Sequence, residues 1–342
     1  MIEDLNGRQI VILGFARQGM AFARFAAESG AKVIVSDLRS AEQMQKSMID
    51  LHEFDIEYVL GDHPMSLLEG TDLLVISGGV AADLPLVEVA GQQGIPISND
   101  SQEFVRRCPA TVVGITGSAG KTTTTALLGE MARVSGRRTW VGGNIGRPLI
   151  AELDEMQPGD LVVQELSSFQ LEIWRHSPPV AAVLNITPNH LDRHGTMQNY
   201  LSIKARMFSH TGRGDVCLVP TEFGDTVRGL SQGGGQWFTF GAGRAGALTY
   251  SNGRILREGA VLADISGTRF ANDIMGPSLA AVYGAAEACG VRPRAVSHAL
   301  DSFEPLPHRM QSVGRWGGVE FINDSKSTTL SSLAAGLRMC PP

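Results

Sequence analysis

The chain has 342 residues, too many for one ordinary core, and its 43% hydrophobic and 19% charged content describes a globular protein of two or three domains. A formal net charge of -6 leaves no basic face for nucleic acid, and no apolar run approaches the ~18 residues a membrane span requires. Cys108, Cys217, Cys289 and Cys340 are scattered without paired spacing, and the acidic start Met1-Ile2-Glu3-Asp4 is unlike a signal peptide; both point away from disulfides or a metal cluster and toward a reducing cytoplasm.

In the first hundred residues strand patterns alternate with helix patterns. Gln9 to Leu13 reads as an apolar strand, Arg17 to Ser29 as an amphipathic helix stopped by Gly30, and Lys32 to Ser36 as the next strand. Further strands are predicted at Leu73 to Ser77 and Ile95 to Ile97. Buried strands alternating with helices indicate a parallel sheet covered on both faces. Gly14-Phe15-Ala16-Arg17-Gln18-Gly19 follows the first strand and Asp37 ends the second, in the manner of a dinucleotide fingerprint with its ribose-binding acid. Ala16 stands where the middle glycine belongs, so the segment suits any nucleotide's diphosphate and ribose and does not specify NAD.

A new unit begins near Arg106 to Ala110. The strand pattern Thr111 to Ile115 runs into Thr116-Gly117-Ser118-Ala119-Gly120-Lys121-Thr122-Thr123, and a helix is expected from Lys121 to Val134. This is the order of a phosphate cradle: glycines let backbone N–H groups close around an anion, the helix presents its positive end, Lys121 reaches the outer phosphates and the Thr122 hydroxyl can sit on Mg2+. The glycines at 114, 117 and 120 stand three apart, unlike the usual spacing, with Ile115 at the ordinary first-glycine position.

Leu161 to Gln164 and Val180 to Leu184 read as buried strands, each followed by a polar segment. Glu165 emerges where ligands bind in parallel sheets and is a candidate Mg2+ ligand beside phosphates; the plain alternative is a solvated strand-end acid. In Asn185-Ile186-Thr187-Pro188-Asn189-His190-Leu191-Asp192-Arg193-His194, the two histidines are four apart, like zinc ligands on a helix face. Pro188 and the lack of a third soft ligand argue against zinc, leaving a surface turn or a loop that turns one histidine toward a phosphate-bound metal. Lys204, in a predicted helix, would by itself pass as an ordinary exposed lysine. Strands are expected at Val216 to Val219 and Trp237 to Phe240, a loop at Gly233-Gly234-Gly235, and helices at Ser278 to Ala288 and Pro293 to Ser302. Phe303 to Pro307 reads as a linker, followed by a strand at Val319 to Ile322, a loop at Asn323 to Ser327 and a helix start too short to bury a core of its own.

Together these motifs resemble the Mur ligases of peptidoglycan synthesis, in particular the member that adds D-glutamate. The loop Gly114-Ile115-Thr116-Gly117 to Thr122 is general to that superfamily, whereas Glu165-Leu166-Ser167-Ser168-Phe169-Gln170-Leu171-Glu172 separates this member from its sisters. Gly142-Gly143-Asn144-Ile145-Gly146, Asn189 to His194, Leu306-Pro307-His308-Arg309 and Asn323-Asp324-Ser325-Lys326 also fit. The resemblance implies an α/β protein of three domains: a UDP-substrate-binding Rossmann-like domain at 1–107, a central P-loop ATPase domain at 108–303, and the beginning of a Rossmann-like D-glutamate domain at 304–342 that continues beyond Pro342. It implies that ATP phosphorylates the carboxylate of UDP-N-acetylmuramoyl-L-alanine and that the amine of D-glutamate attacks the acyl phosphate.

The same resemblance implies residue roles. Gly117, Gly120, Lys121, Thr122, Thr123 and Asn144 would hold ATP, with Arg309, Asp324 and Lys326 on its other side. Thr122 and Glu165 would bind a first Mg2+, His190 and a carbamylated Lys204 a second; Lys121, Glu165, His190 and Lys204 would be the catalytic group. Phe15, Ala16, Asp37, Leu38, Arg39, Gly78 and Gly79 match UDP-binding positions, Asn144, Ser167, Gln170 and His190 would meet the muramoyl-alanine part, and Thr328 the D-glutamate. A cytoplasmic monomer is implied, without nucleic-acid or membrane partners.

Four places depart from the family pattern: Asn272 to Pro277 replaces His-Asn-x-x-Asn, Gln311 replaces a glutamate, Thr329 an asparagine and Gly78 a proline. The first of these leaves the adenine contacts without a family precedent. Three other readings compete: a sister ligase taking another amino acid, a nucleotide- or UDP-sugar-binding fragment without turnover, and an NAD oxidoreductase built on Gly14 to Asp37. The Ser167 to Gln170 motif argues against the first of these and the phosphate loop against the last.

Overall fold

The apolar runs of the first hundred residues assemble into one sheet in a computed structural model that describes residues 4–243, 246–304, 306–327 and 330–340. Its strands are β1 (Gln9–Leu13), β2 (Lys32–Asp37), β3 (Ile56–Leu60), β4 (Leu73–Ile76) and β5 (Ile97–Ser98), in the order β3-β2-β1-β4-β5. Every pair is parallel. β1 is central and almost wholly buried, so it reads as a continuous apolar run. The edge strand β3 is half-exposed and interrupted by Glu57, which hid it from the sequence pattern. The short last strand falls at Ile97–Ser98 instead of Ile95 to Ile97. The first helix, Arg17–Glu28, ends one residue earlier than predicted, and Gly30 follows at φ +78°.

The second sheet contains β6 (Thr111–Thr116), β7 (Thr139–Gly143), β8 (Leu161–Glu165), β9 (Val180–Val183), β10 (Val216–Pro220), β11 (Gln236–Ala242), β12 (Leu248–Ser251), β13 (Arg254–Arg257) and β14 (Ala260–Asp264). Its order is β14-β13-β12-β11-β10-β9-β6-β8-β7. Unlike the first sheet it is mixed, because β12 with β13 and β13 with β14 pair antiparallel. Two-residue turns make that possible: Asn252-Gly253 and Glu258-Gly259 all have positive φ, the pattern of hairpin turns whose twist matches the strands. A third such pair, Gly317-Gly318, joins β15 (Gln311–Trp316) to β16 (Val319–Asn323), an antiparallel ribbon followed by the helix Leu330–Met339.

The core of this second body packs Val113, Ile115 and Val163 of the sheet against Leu127, Leu128 and Met131 of the helix Lys121–Val134 and Leu279 and Val282 of the helix Gly276–Ala288. Each such side chain stabilises the fold by about 1.5–3 kcal/mol relative to exposure. The latter helix begins two residues before the predicted Ser278, with Pro277 in its first turn, where a missing N–H costs nothing. Phe303 belongs to this core and not to a linker: it is buried, 5.8 Å ring to ring from Phe270.

The chain divides into two compact units. One comprises Met1–Pro109, Gly142–Pro158 and Leu166–His176 within the described residues, the other Ala110–Val141, Gly159–Glu165 and Ser177–Pro342. The segments carrying Asn144 and Ser167 to Gln170 therefore cluster with the first sheet.

In the first unit Asp100 opens the helix Asp100–Arg107 with a fully buried carboxylate. Burial pushes its pKa up from 3.8 to about 6, with hydrogen bonds from Ser101 and the charge of Arg17 only partly offsetting it. Between those two values the folded state keeps a proton that the unfolded chain releases, so stability falls as pH rises through the window and stays lower above it. Asp100→Asn removes the charge without changing shape. It is expected to stabilise the protein by about 2 kcal/mol at pH 8 and by little near pH 4. Urea unfolding at the two pH values checks this; equal shifts at both would rule out the carboxylate's ionisation as the cause.

Candidate active site

The phosphate loop of the second unit is shaped by two glycines. Gly120, at φ +77°, caps the helix Lys121–Val134 in the left-handed region that favours glycine. A side chain at Gly117 would be tightly crowded, since an added Cβ would lie 3.1 Å from the Leu184 Cβ. The helix start leaves the N–H groups of its first turn without intrahelical partners, which is the basis of anion binding there.

Four side chains predicted from motifs gather around this loop. Lys121 Nζ donates to the carbonyl oxygens of Gly117 (2.9 Å) and Ser118 (3.3 Å). Lys204 is not the exposed lysine its sequence context suggests but is 1% exposed, and its Nζ donates to the same Gly117 oxygen and to Thr116 Oγ1, both at 3.2 Å. The ammonium also lies 4.6 Å above the Tyr200 ring centre. Burial, and then the charge of Lys121, hold the Lys204 pKa well below its ordinary 10.5. Burial also lowers Lys121, with Glu165 working in the opposite direction and Arg309 reinforcing the shift.

Glu165, at the end of β8, is 1% exposed, which removes the alternative of a solvated strand-end acid. His190 caps the short helix Leu191–His194 at φ +52°, a backbone state that histidine tolerates better than most residues. Burial and then the Lys121 charge lower its pKa, which favours the neutral imidazole. His194 is buried, with its ring centre 5.3 Å from that of Tyr200. Among the described residues no three histidine, cysteine or acidic side chains converge as a ready metal cage. The donor set instead suits Mg2+, which takes one or two carboxylates and completes its shell with phosphate oxygens and water.

The site also contains residues that motif reading left without a role. Asn185 pairs both polar edges of its amide with Ala119: Oδ1 accepts from the N–H (2.8 Å) and Nδ2 donates to the carbonyl (3.0 Å). Ser118 Oγ donates to the Thr187 carbonyl and accepts from the Thr187 N–H, and lies 3.2 Å from the Tyr200 hydroxyl. Nearby in sequence, the Leu306 to Arg309 turn is strapped to the Asn323 to Ser327 loop. Asp324 accepts from the Met310 N–H (3.0 Å) and from the Ser327 hydroxyl, and the Lys326 N–H donates to the His308 carbonyl (3.2 Å). Thr328 lies outside the described residues, as does Thr329.

In the first unit, Gly14 turns at φ +87° and Gly19 allows the closest approach, since a Cβ there would sit 1.9 Å from the Gly14 oxygen. Phe15 is buried beside Tyr58, while Ala16 and Leu38 are exposed. The Asp37 carboxylate accepts from the Phe15 N–H (2.7 Å) and from the Arg39 guanidinium (2.7 and 2.8 Å). The Arg39 hydrogen bonds hold its pKa well below the usual carboxylate range. Gly78 and Gly79 form the turn after β4. Arg17 donates to the carbonyls of Asn144 (3.0 Å) and Gly146 (2.7 Å), a strap no motif announced. Ser167 and Gln170 form a reciprocal helix cap, and the Gln170 amide also donates to Ser101.

Comparison with known proteins agrees with this layout. A family profile described as the Mur ligase middle domain matches residues 115–255, and one described as the Mur ligase MurD-like N-terminal domain matches 8–99. The UDP-N-acetylmuramoylalanine–D-glutamate ligase of Pelotomaculum thermopropionicum is 36% identical over 346 residues, covering 96% of this chain and 74% of that protein. The enzyme of the same name from Trichlorobacter lovleyi is 36% identical over 345 residues, covering 98% and 76%. Among solved structures, the UDP-N-acetylmuramate-alanine ligase of Thermotoga maritima shares the fold at TM-score 0.57 and 19% identity, covering 97% of this chain and 77% of that one. With identity above 30% across nearly its whole length, the chain belongs to the Mur ligase family, on its UDP-N-acetylmuramoylalanine–D-glutamate ligase branch.

Proposed function

We propose that this chain is an ATP-dependent amide ligase that joins D-glutamate to UDP-N-acetylmuramoyl-L-alanine in peptidoglycan synthesis. The observation that carries the reading is the convergence of Lys121, Glu165, His190 and Lys204 on one phosphate loop, in a chain so similar to ligases of that name. A carboxylate is a poor electrophile. Its oxygen attacks the γ-phosphorus of ATP, ADP leaves, and the acyl phosphate now has a good leaving group. The D-glutamate amine attacks the carbonyl carbon, phosphate departs, and the nitrogen loses a proton to give the amide. Lys121 stabilises the negative charge that moves with the phosphoryl group.

In our reading Thr122 and Glu165 hold one Mg2+ with the ATP phosphates, and His190 a second. Bound Mg2+ supplies positive charge to the transferring phosphoryl group. Lys204 serves the second ion as a carbamate. Burial favours the uncharged amine, which is a nucleophile and would add to CO2 with loss of one proton from nitrogen, leaving an anionic carbamate as an oxygen ligand. Gly117, Gly120, Thr123 and Asn144 contact ATP, with Arg309, Asp324 and Lys326 opposite. Phe15, Ala16, Asp37, Leu38, Arg39, Gly78 and Gly79 bind the UDP part, Ser167 and Gln170 shape the muramoyl-alanine side, and Thr328 meets D-glutamate. Residues 1–107, 108–303 and 304–342 divide these tasks in a cytoplasmic monomer.

The test is phosphate release from ATP with Mg2+ and UDP-N-acetylmuramoyl-L-alanine, with and without D-glutamate. The expected result is release that depends on D-glutamate and on no other amino acid in a panel. Failure to bind the UDP substrate at all would overturn the reading.

A further inference from the structure

The phosphate loop does not hold its shape by its own sequence. Two of its N–H groups are already used: Ser118 donates to the Asn185 carbonyl (3.0 Å) and Ala119 to the Asn185 side chain (2.8 Å). The Ala119 carbonyl is taken by the same amide (3.0 Å). One side chain thus fixes both faces of the Ala119 residue, from the strand end that follows β9 and 66 residues away in sequence. Two residues on, Thr187 exchanges hydrogen bonds with the Ser118 hydroxyl in both directions (2.9 and 3.0 Å). The same stretch of chain leads directly to His190.

We propose that Asn185 is a positioning residue of the phosphate loop. It locks Ser118 and Ala119 so that the nucleotide is received by the remaining amides at the helix start, Gly120 to Thr122, and it fixes the loop to the segment that carries His190. The argument rests on the proposed ATP chemistry only in naming the anion.

The Asn185 amide presents a donor and an acceptor side by side, which matches the N–H and carbonyl of Ala119. Asn185→Asp keeps the volume and the acceptor but turns the donor into a second acceptor facing the Ala119 carbonyl. Asn185→Ala removes both bonds. The protein is titrated with a non-hydrolysable ATP analogue and Mg2+, and separately with the UDP substrate. Backbone hydrogen exchange across Gly117 to Lys121 is followed in parallel, with melting temperature as a control.

Both variants are expected to bind the ATP analogue about tenfold to a hundredfold more weakly, as loss of both hydrogen bonds in the alanine variant, or of one bond with two acceptors left facing each other in the aspartate variant, implies next to a polyanion. Exchange in the loop rises while β6 stays protected, UDP-substrate affinity is unchanged, and the melting temperature moves little. If turnover is measurable, the KM for ATP rises more than kcat falls. ATP affinity within twofold of the parent, with unchanged loop exchange, overturns the proposal; so does a fall in melting temperature with affinity retained, which would make the clamp purely structural. A parent protein that binds the analogue but shows no D-glutamate-dependent turnover would sink the ligase reading alone and leave this comparison intact.

Discussion

Lys204→Met is expected to reduce D-glutamate-dependent phosphate release on the order of a thousandfold while leaving the fold at least as stable as the parent. The lysine has every mark of a group kept for chemistry. It is 1% exposed, its hydrogen-bond partners are a hydroxyl and a carbonyl that Lys121 also uses, and the charge of Lys121 acts on it as a like charge. Such burial destabilises a protein unless the group is altered or neutral. Methionine fills similar space without a charge to desolvate, so the change is expected to be neutral or stabilising by about 1 kcal/mol. Activity and urea unfolding of the same preparation check both halves. Retained turnover would remove Lys204 from the reaction, and a large loss of stability would make it a structural lysine.

Lys121→Met is expected to lower phosphate release by a similar factor, about a thousandfold, and to weaken ATP binding as well. The two lysines share one carbonyl acceptor, yet their surroundings differ. Glu165 acts on Lys121 in the direction that keeps it charged, whereas among the described residues burial and the like charge of Lys121 both act on Lys204 in the opposite direction. In the proposed reaction Lys121 would be the cation that follows the phosphoryl charge, and Lys204 the amine that is converted. Lys121→Arg separates charge from shape. It keeps the charge, but its planar fork does not replace a compact ammonium at the loop carbonyls, so little activity should return. Full activity in the arginine variant would show that a diffuse positive charge suffices.

Much of this architecture could be read along the chain. Strands such as β1, β6, β8 and β10 are unbroken apolar runs because both their faces are covered, and the phosphate loop declares itself through Gly120, Lys121 and Thr122 between a strand and a helix. Asn252-Gly253 and Gly317-Gly318 have the composition of hairpin turns, but the sequence pattern alone marked no hairpin there, because the strands they join are short and partly or largely exposed. β3 is obscured for the same reason.

What the sequence determined by itself was local: strand, loop and helix in order, and the residue types that phosphate chemistry needs. The tertiary structure decided the rest, because burial and pairing depend on residues far apart in the chain. Lys204 looks ordinary within its helix and is changed only by a contact with Thr116, 88 positions away. Asn185 is joined to Ala119, 66 positions away, and the Asn144 carbonyl to Arg17, 127 positions away. A hydrogen bond to a loop or the loss of water around an amine is set by what the fold brings alongside, and no spacing within a motif encodes that.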